Sequence, residues 1–295
     1  MAFSASDAAF EGFRIVRRRP LAVLAWALAY IVFFAVGFAV VGQPALAIIR
    51  QAEALQGGAE PTAAELVALS QGYGLVIGVI WPLMMLLGVM LSAAVARAVL
   101  QPKASAFGYL RLGMDELRLL GAMIILFLLL LLYYVVAIGI CVGLGVYAHT
   151  SGQGWVWLLC VLAGIGAFLG LVWLAVRLSL MAPIIVAENR FALFSSFALT
   201  KGRFWPLLGM TLLSFVMTIV VSLLGTIINL PIRFSLAGPL SQIAQPADLL
   251  PVLQQHIGLV VAWGVVNAII SALQMVVLYA PFAAAYRDIK GVEPA

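Results

Sequence analysis

LLGAMIILFLLLLLYYVVAIGICVGLGVY, Leu119 to Tyr147, is a run of 29 residues without one charged side chain. A helix needs roughly 20 apolar residues to cross a hydrocarbon core of about 30 Å. At about 1.5 Å per residue this one is some 44 Å long, so it must tilt or project. Outward from it, five further stretches qualify, at 21–42, 73–96, 155–176, 204–230 and 257–280. The composition agrees: of 295 residues, 65% are hydrophobic and 9% charged, with mean hydropathy +1.17. Soluble domains are about 45–50% apolar and about 25% charged. An ordinary soluble enzyme is thereby excluded, as are a disordered chain, a collagen-like chain and, with 2 cysteines, a disulfide scaffold. The predicted fold class is all-α, a polytopic membrane helix bundle of six transmembrane helices forming a single membrane domain over 1–295.

Basic residues set the expected orientation, because Lys and Arg are retained on the cytoplasmic side. When the connections are assigned alternately, one side holds Arg14, Arg17, Arg18, Arg19, Arg97, Lys103, Arg111, Arg118, Arg177, Arg190, Lys201, Arg203, Arg287 and Lys290. The other holds only Arg50 and Arg233. Both termini are expected in the cytoplasm of a bacterial inner membrane, with external loops around 43–72 and 231–256. Ala45-Leu46-Ala47 has the pattern of a cleavage site. The 22-residue run before it exceeds the usual signal core of about 7–15 residues, so a retained span is expected.

The segments leading into the odd-numbered spans share a texture when Phe10, Phe107 and Phe194 are superposed. Each Phe is followed three residues later by an apolar residue (Phe13, Leu110, Phe197) and nine later by a charge (Arg19, Glu116, Arg203). The intervals are 97 and 87 residues, a difference that an insertion in the first external loop explains. Three pseudo-repeats follow, over about 4–100, 101–188 and 189–290, each an interfacial helix plus a helical hairpin. In the first such helix, Asp7, Glu11, Arg14 and Arg18 share a polar face opposite Phe10, Phe13 and Val16. In the second, Phe107, Leu110, Met114 and Leu117 oppose Arg111, Asp115 and Arg118, with Ser105 as N-cap. The third is less regular, with Asn189 as its cap and Ser196, Thr200 and Arg203 as its polar face. Such helices lie in the headgroup plane. The first reading is mechanical, anchoring the bundle at the right depth, and the second is a basic collar for anionic lipid, each cation being worth about 1 kcal/mol near such a surface. The collar candidates are Arg14, Arg17, Arg18, Arg19, Arg97, Lys103, Arg111, Arg118, Arg177, Arg190, Lys201 and Arg203, with Arg97 and Arg177 reaching the interface by snorkelling.

Within the spans, no ionisable group falls near a midplane, which argues against an ion-coupled transporter. The fifth span instead carries Thr211, Ser214, Thr218, Ser222, Thr226 and Asn229 on one face, and the sixth carries Asn267, Ser271 and Gln274. Hydrogen bonding between helices is the first reading of this seam, and a hydrophilic path for a headgroup or small solute is the second. Gly74-x-x-x-Gly78, Gly139-x-x-x-Gly143 and Gly166-x-x-x-Gly170 are small-residue motifs that permit close helix approach. Cys141 and Cys160 are expected to be free thiols in apolar helices, and His149 and His256, near the external surface, make a poor metal pair. Pro183 should kink or end the fourth span, and Glu188 should pair with a nearby arginine. No nucleotide-binding, hydrolase or metalloprotease motif is present in the sequence, so no catalytic set, metal or cofactor is expected.

RLSLMAPIIVAENRFALFSSFALTKGRFWPLLGM, Arg177 to Met210, resembles small bacterial inner-membrane proteins related to the membrane domain attached to some glycerophosphoryl diester phosphodiesterases. The residues that carry the resemblance are Ala182, Pro183, Glu188, Ala198, Leu199, Thr200, Lys201 and Gly202, with an echo at Ala280-Pro281. The resemblance implies a six-span membrane domain that is not the catalytic part of those enzymes. The expected role is therefore a non-catalytic, lipid-interacting scaffold or an accessory subunit of a membrane complex. The alternative is a transporter or lipid-translocating protein using the polar seam. The expected partners are membrane phospholipids and, for a subunit, a protein of a larger complex or a second copy of the chain. Nucleic acid is not expected.

Overall fold

The computed structural model describes residues 4–56, 62–103, 106–241 and 249–291, and every element among them is helical. In chain order these are α1 (Ala5–Ala9), α2 (Glu11–Arg18), α3 (Pro20–Gln56), α4 (Ala63–Leu100), a 3-10 turn (Ala106–Tyr109), α5 (Met114–Ser151), α6 (Trp155–Leu178), α7 (Met181–Glu188), α8 (Ser195–Leu199), α9 (Phe204–Ser241), α10 (Leu249–Gln255) and α11 (Ile257–Lys290). Six helices are long and apolar enough to cross a membrane, which makes the chain an integral, multi-pass membrane protein. They pair as hairpins, α3 along α4, α5 along α6 and α9 along α11, and α11 packs against α3 and α4 as well.

The expected loops at 43–72 and 231–256 are largely helical. α3 continues to Gln56, α4 already begins at Ala63, α9 runs to Ser241, and α10 occupies Leu249–Gln255. A capping box starts α4: the Thr62 hydroxyl accepts from the Glu65 amide at 3.3 Å, and the Glu65 carboxylate accepts from the Thr62 amide at 2.8 Å. Helices of 38 residues, about 57 Å long, exceed the bilayer core and must tilt or project.

The buried core gathers at the end of the bundle where α1 and α2 pack against α11, called basal below. It is built from small residues. Ala93, Ala94, Ala96 and Ala98 of α4, Ala122 of α5, and Ala268, Ala272, Ala280, Ala283, Ala284 and Ala285 of α11 are all buried. Small side chains let backbones approach, and dispersion between close helices drives packing where lipid removes the hydrophobic term. The distal halves stay mostly exposed, with Tyr147, Trp155 and Trp157 at the α5–α6 turn. Aromatics of this kind settle at a membrane interface.

The glycine motifs do not mediate this packing. A Cβ added at Gly74, Gly78, Gly139, Gly143 or Gly166 would meet nothing within 4 Å, and at Gly170 it would meet the Tyr133 side chain, whose hydroxyl would be 2.6 Å away. Among the described glycines, Gly12 is the one whose added Cβ would press closest on the backbone of another helix. Its Cβ would sit 2.7 Å from Val277 Cα and 3.0 Å from the Val276 carbonyl oxygen, both backbone atoms of α11. This approach seats α2, burying Ala8, Ala9 and Ile15. Gly12→Ala is expected to cost about 1–3 kcal/mol, because neither backbone can yield, and to raise trypsin cleavage after Arg17 and Arg18 by about tenfold or more. Gly74→Ala and Gly143→Ala, by contrast, should leave cleavage unchanged.

Candidate functional site: the basal polar collar

The basal face sorts the collar residues into two groups. The first forms an internal chain of ion pairs. Arg97, at the end of α4, is 3% exposed and meets Glu116 at 2.5 Å and Asp115 at 3.5 Å; Glu116 is 4% exposed. The expected snorkelling of Arg97 is thus corrected: the two acids opening α5 reach it before solvent does. Asp115 also takes Arg118 at 3.1 Å, and the Asn189 amide, with its nitrogen turned toward it, donates at 3.0 Å. Glu188 takes Arg190 at 2.5 Å, Lys290 at 3.0 Å and the Tyr286 hydroxyl at 3.1 Å. The expected pairing of Glu188 with arginine is present, joined by a lysine and a phenol from α11. Arg287 reaches Glu11 at 3.7 Å, and Arg14 bonds Glu11 at 3.1 Å and Asp7 more closely. α2, α4, α5, α7 and α11 are thereby linked across one face.

Asp7 lies outside the spans, and its carboxyl is held below its ordinary range, first by the hydrogen bond from Arg14 and then by the guanidinium charge. A lowered folded value stabilises the folded state above the unfolded value of about 3.9 and is lost as pH falls through the folded one. Amide protection over α1 and α2 is therefore expected to be flat from pH 7 to pH 5 and to fall only below about pH 4.

Arg177 does not snorkel freely either. Its Nη1 donates to the Phe197 carbonyl and the Thr200 hydroxyl at 3.4 Å each, and the guanidinium stacks 5.5 Å from the Trp173 ring centre. The expected outward polar face of Ser196 and Thr200 is reversed, since both are fully buried. The Ser196 hydroxyl donates to the Arg177 carbonyl at 2.6 Å and accepts from the Leu180 amide at 3.3 Å. It thereby satisfies the backbone at the break between α6 and α7, with Pro183 in the first turn of α7. Asn189, expected as an N-cap, instead follows α7 in a left-handed conformation at φ 50°. Arg177 makes none of these contacts with Glu188 or Arg190.

The segment before α5 is not the expected amphipathic helix. Phe107, Gly108 and Tyr109 have φ of 52°, 65° and 64°, three consecutive left-handed residues. The turn is clamped from several sides: Trp26 Nε1 donates to the Gly108 carbonyl at 2.7 Å, and the Tyr109 hydroxyl donates to the Pro102 carbonyl at 2.9 Å. Arg97 Nη1 donates to the Tyr109 carbonyl at 3.4 Å, and Arg19 lies 5.1 Å from the centre of the buried Tyr109 ring. The inferred cap Ser105 lies outside the described residues. Phe107 is pushed to 90% exposure.

The second group of cations is exposed and makes no ion pair among the described residues: Arg17, Arg18, Lys103, Arg111, Lys201 and Arg203. Beside them lie the exposed aromatics Phe10, Phe13, Phe107 and Phe194, with Trp205 at 77% exposure. Arg97 is corrected from a headgroup candidate to a buried structural cation; Arg14, Arg118 and Arg190 are ion-paired, Arg190 from an exposed position, and Arg19 and Arg177 stack on the Tyr109 and Trp173 rings.

The polar seam closes mostly within its own helices. Thr211, Ser214, Thr218 and Thr226 each donate to the carbonyl four residues back, at 2.8, 2.8, 2.8 and 3.0 Å. The expected cross-helix bonding reduces to Asn267 Nδ2 donating to Asn229 Oδ1 at 3.5 Å. Ser222 is exposed, and Ser271 and Gln274 are half-buried. Cys141 and Cys160 are free, the Cys160 thiol lying 3.4 Å from the Cys141 carbonyl.

No family model, curated protein or solved structure matches the chain. The resemblance of Arg177–Met210 rests on those residues alone.

Proposed function

We propose that the protein is a non-catalytic, lipid-interacting membrane scaffold held on an anionic leaflet by its basal collar. One observation carries the reading. At each junction leading into a hairpin, exposed aromatics stand near two cations without acidic partners among the described residues: Phe10 and Phe13 with Arg17 and Arg18, Phe107 with Lys103 and Arg111, and Phe194 and Trp205 with Lys201 and Arg203. Aromatic rings favour the headgroup boundary, and each nearby cation adds about 1 kcal/mol of attraction to an anionic surface. On the same reading the basal end faces the cytoplasm of a bacterial inner membrane, where cations are retained.

The test is native mass spectrometry of the full chain released from nanodiscs of mixed phosphatidylglycerol and phosphatidylcholine. The wild type is expected to retain phosphatidylglycerol preferentially. A variant carrying Arg17→Gln, Arg18→Gln, Lys103→Gln, Arg111→Gln, Lys201→Gln and Arg203→Gln should lose that preference while keeping its thermal stability, because the inner ion pairs are untouched. Equal retention by both overturns the collar. A stoichiometric protein partner in the native membrane would favour the accessory-subunit role.

A further inference from the structure

The turn that leads into α5 packs against the side of a span. Its Gly108 carbonyl accepts from Trp26 Nε1 at 2.7 Å, and a Cβ at Gly108 would lie 2.7 Å from the Ala25 Cβ. Both partners belong to the first turns of α3, whose apolar run begins at Leu21, just after Arg17, Arg18, Arg19 and Pro20. Trp26 is five residues past Leu21, about 7.5 Å along the helix. The surface at this level is apolar: Leu21, Leu24 and Leu28 of α3 are exposed, as are Leu112, Met114 and Leu117 around the start of α5.

Irregular backbone at that depth must find its partners in protein, because lipid offers none. The three consecutive carbonyls of the turn do so. Phe107 accepts from the Leu110 amide at 3.3 Å, Gly108 from Trp26, and Tyr109 from Arg97 Nη1 at 3.4 Å. The Tyr109 hydroxyl in turn donates to the Pro102 carbonyl at 2.9 Å. Two non-glycine residues, Phe107 and Tyr109, hold a positive φ here, and such outliers persist only where the surroundings impose them. What this backbone presents outward is Phe107, the most exposed large apolar side chain among the described residues. Lys103 and Arg111, each four residues from Phe107, are exposed, and their long stems can reach headgroups from below. We infer that this turn is a wedge that carries Phe107 past the headgroups and into the acyl chains of the basal leaflet. The inference rests on the lipid-interacting reading for its partner, and adds to it an apolar contact that needs no anionic charge.

The test introduces Phe107→Cys into the full chain carrying Cys141→Ala and Cys160→Ala, and labels it with the polarity-sensitive fluorophore NBD in phosphatidylcholine nanodiscs. Quenching by a nitroxide placed high on the lipid acyl chain is compared with quenching by iodide in the water. Leu28→Cys and Lys201→Cys give the references for hydrocarbon and headgroup depth. The label at position 107 is expected to match the one at 28, with blue-shifted emission and acyl-nitroxide quenching at least threefold that at 201. A match to position 201, with free access for iodide, overturns the wedge. The wild type provides a second reading that needs no substitution. Phosphatidylcholine carrying a photoactivatable diazirine high on one acyl chain should label Phe107, as mapped by peptide mass spectrometry; label on Leu28 without label on Phe107 overturns the wedge. The six-cation variant separates the two readings, since Phe107 should still be labelled in it although the preference for phosphatidylglycerol is gone. Phe107 in water with that preference intact in the wild type overturns the wedge and leaves the collar, whereas labelled Phe107 without any preference in the wild type supports the wedge and overturns the collar.

Discussion

Arg97→Ala is expected to lower stability by about 3–5 kcal/mol, read as a loss of thermal stability in detergent. The mechanism is the charge left behind. Glu116 is 4% exposed and would keep a carboxylate with its nearest guanidinium, 2.5 Å away, removed. Burying an uncompensated ion costs more than the pair contributes, because desolvation is no longer offset by Coulomb attraction in a poorly polarisable site. The control is a double replacement, Arg97→Met with Glu116→Leu. It should recover most of the loss, since swapping a buried ion pair for apolar groups of similar volume is often neutral. Arg118→Ala, removing a partner that is about one-third exposed, should cost under about 1 kcal/mol. If the single Arg97 variant is no less stable than Arg118→Ala, the buried pair does not hold α4 to α5.

The second large effect is expected at Gly108. Its φ is 65°, and an added Cβ would lie 2.7 Å from the Ala25 Cβ of α3. Gly108→Ala therefore combines a left-handed penalty of about 1–2 kcal/mol with overpacking of about 1–3 kcal/mol, a total of roughly 2–5 kcal/mol. The turn cannot relax cheaply, because the Gly108 carbonyl accepts from Trp26 and the next residue is the buried Tyr109. Hydrogen exchange should show the opening localised at the 101–113 segment and the start of α5. A Gly202→Ala variant provides the contrast. Its φ is 77° but nothing lies within 4 Å of the added Cβ, so only the conformational penalty applies.

The hydropathy of the chain makes the six spans and the all-helical class legible, because burial in lipid is summed residue by residue and needs no knowledge of neighbours. The concentration of cations at one end is legible for the same reason, and so is the pairing of Glu188 with an arginine two residues away. The Thr62–Glu65 capping box is also readable locally, although a search for loops by polarity passes over it. Other features depend on which helix faces meet. Small-residue motifs are abundant among 27 glycines, yet close backbone approach falls at Gly12, which belongs to none of them. A six-residue polar stripe suggests bonds between helices, but hydroxyls on a helix reach their own carbonyl four residues back more easily than a partner across the interface.

The collar shows the division most directly. Twelve candidate cations look alike along the chain, and their separation into an inner and an outer set follows from three-dimensional pairing. Asp115 and Glu116 open α5 beside the end of α4 and take Arg97 out of solvent. Glu188 ends α7 beside α11 and takes Lys290. Arg17, Arg18, Lys103, Arg111, Lys201 and Arg203 remain outward, with no acid placed opposite them among the described residues. Charge and apolarity are properties of single residues and survive in one dimension. Pairing is a property of two surfaces, and it exists only once the hairpins have packed around α11.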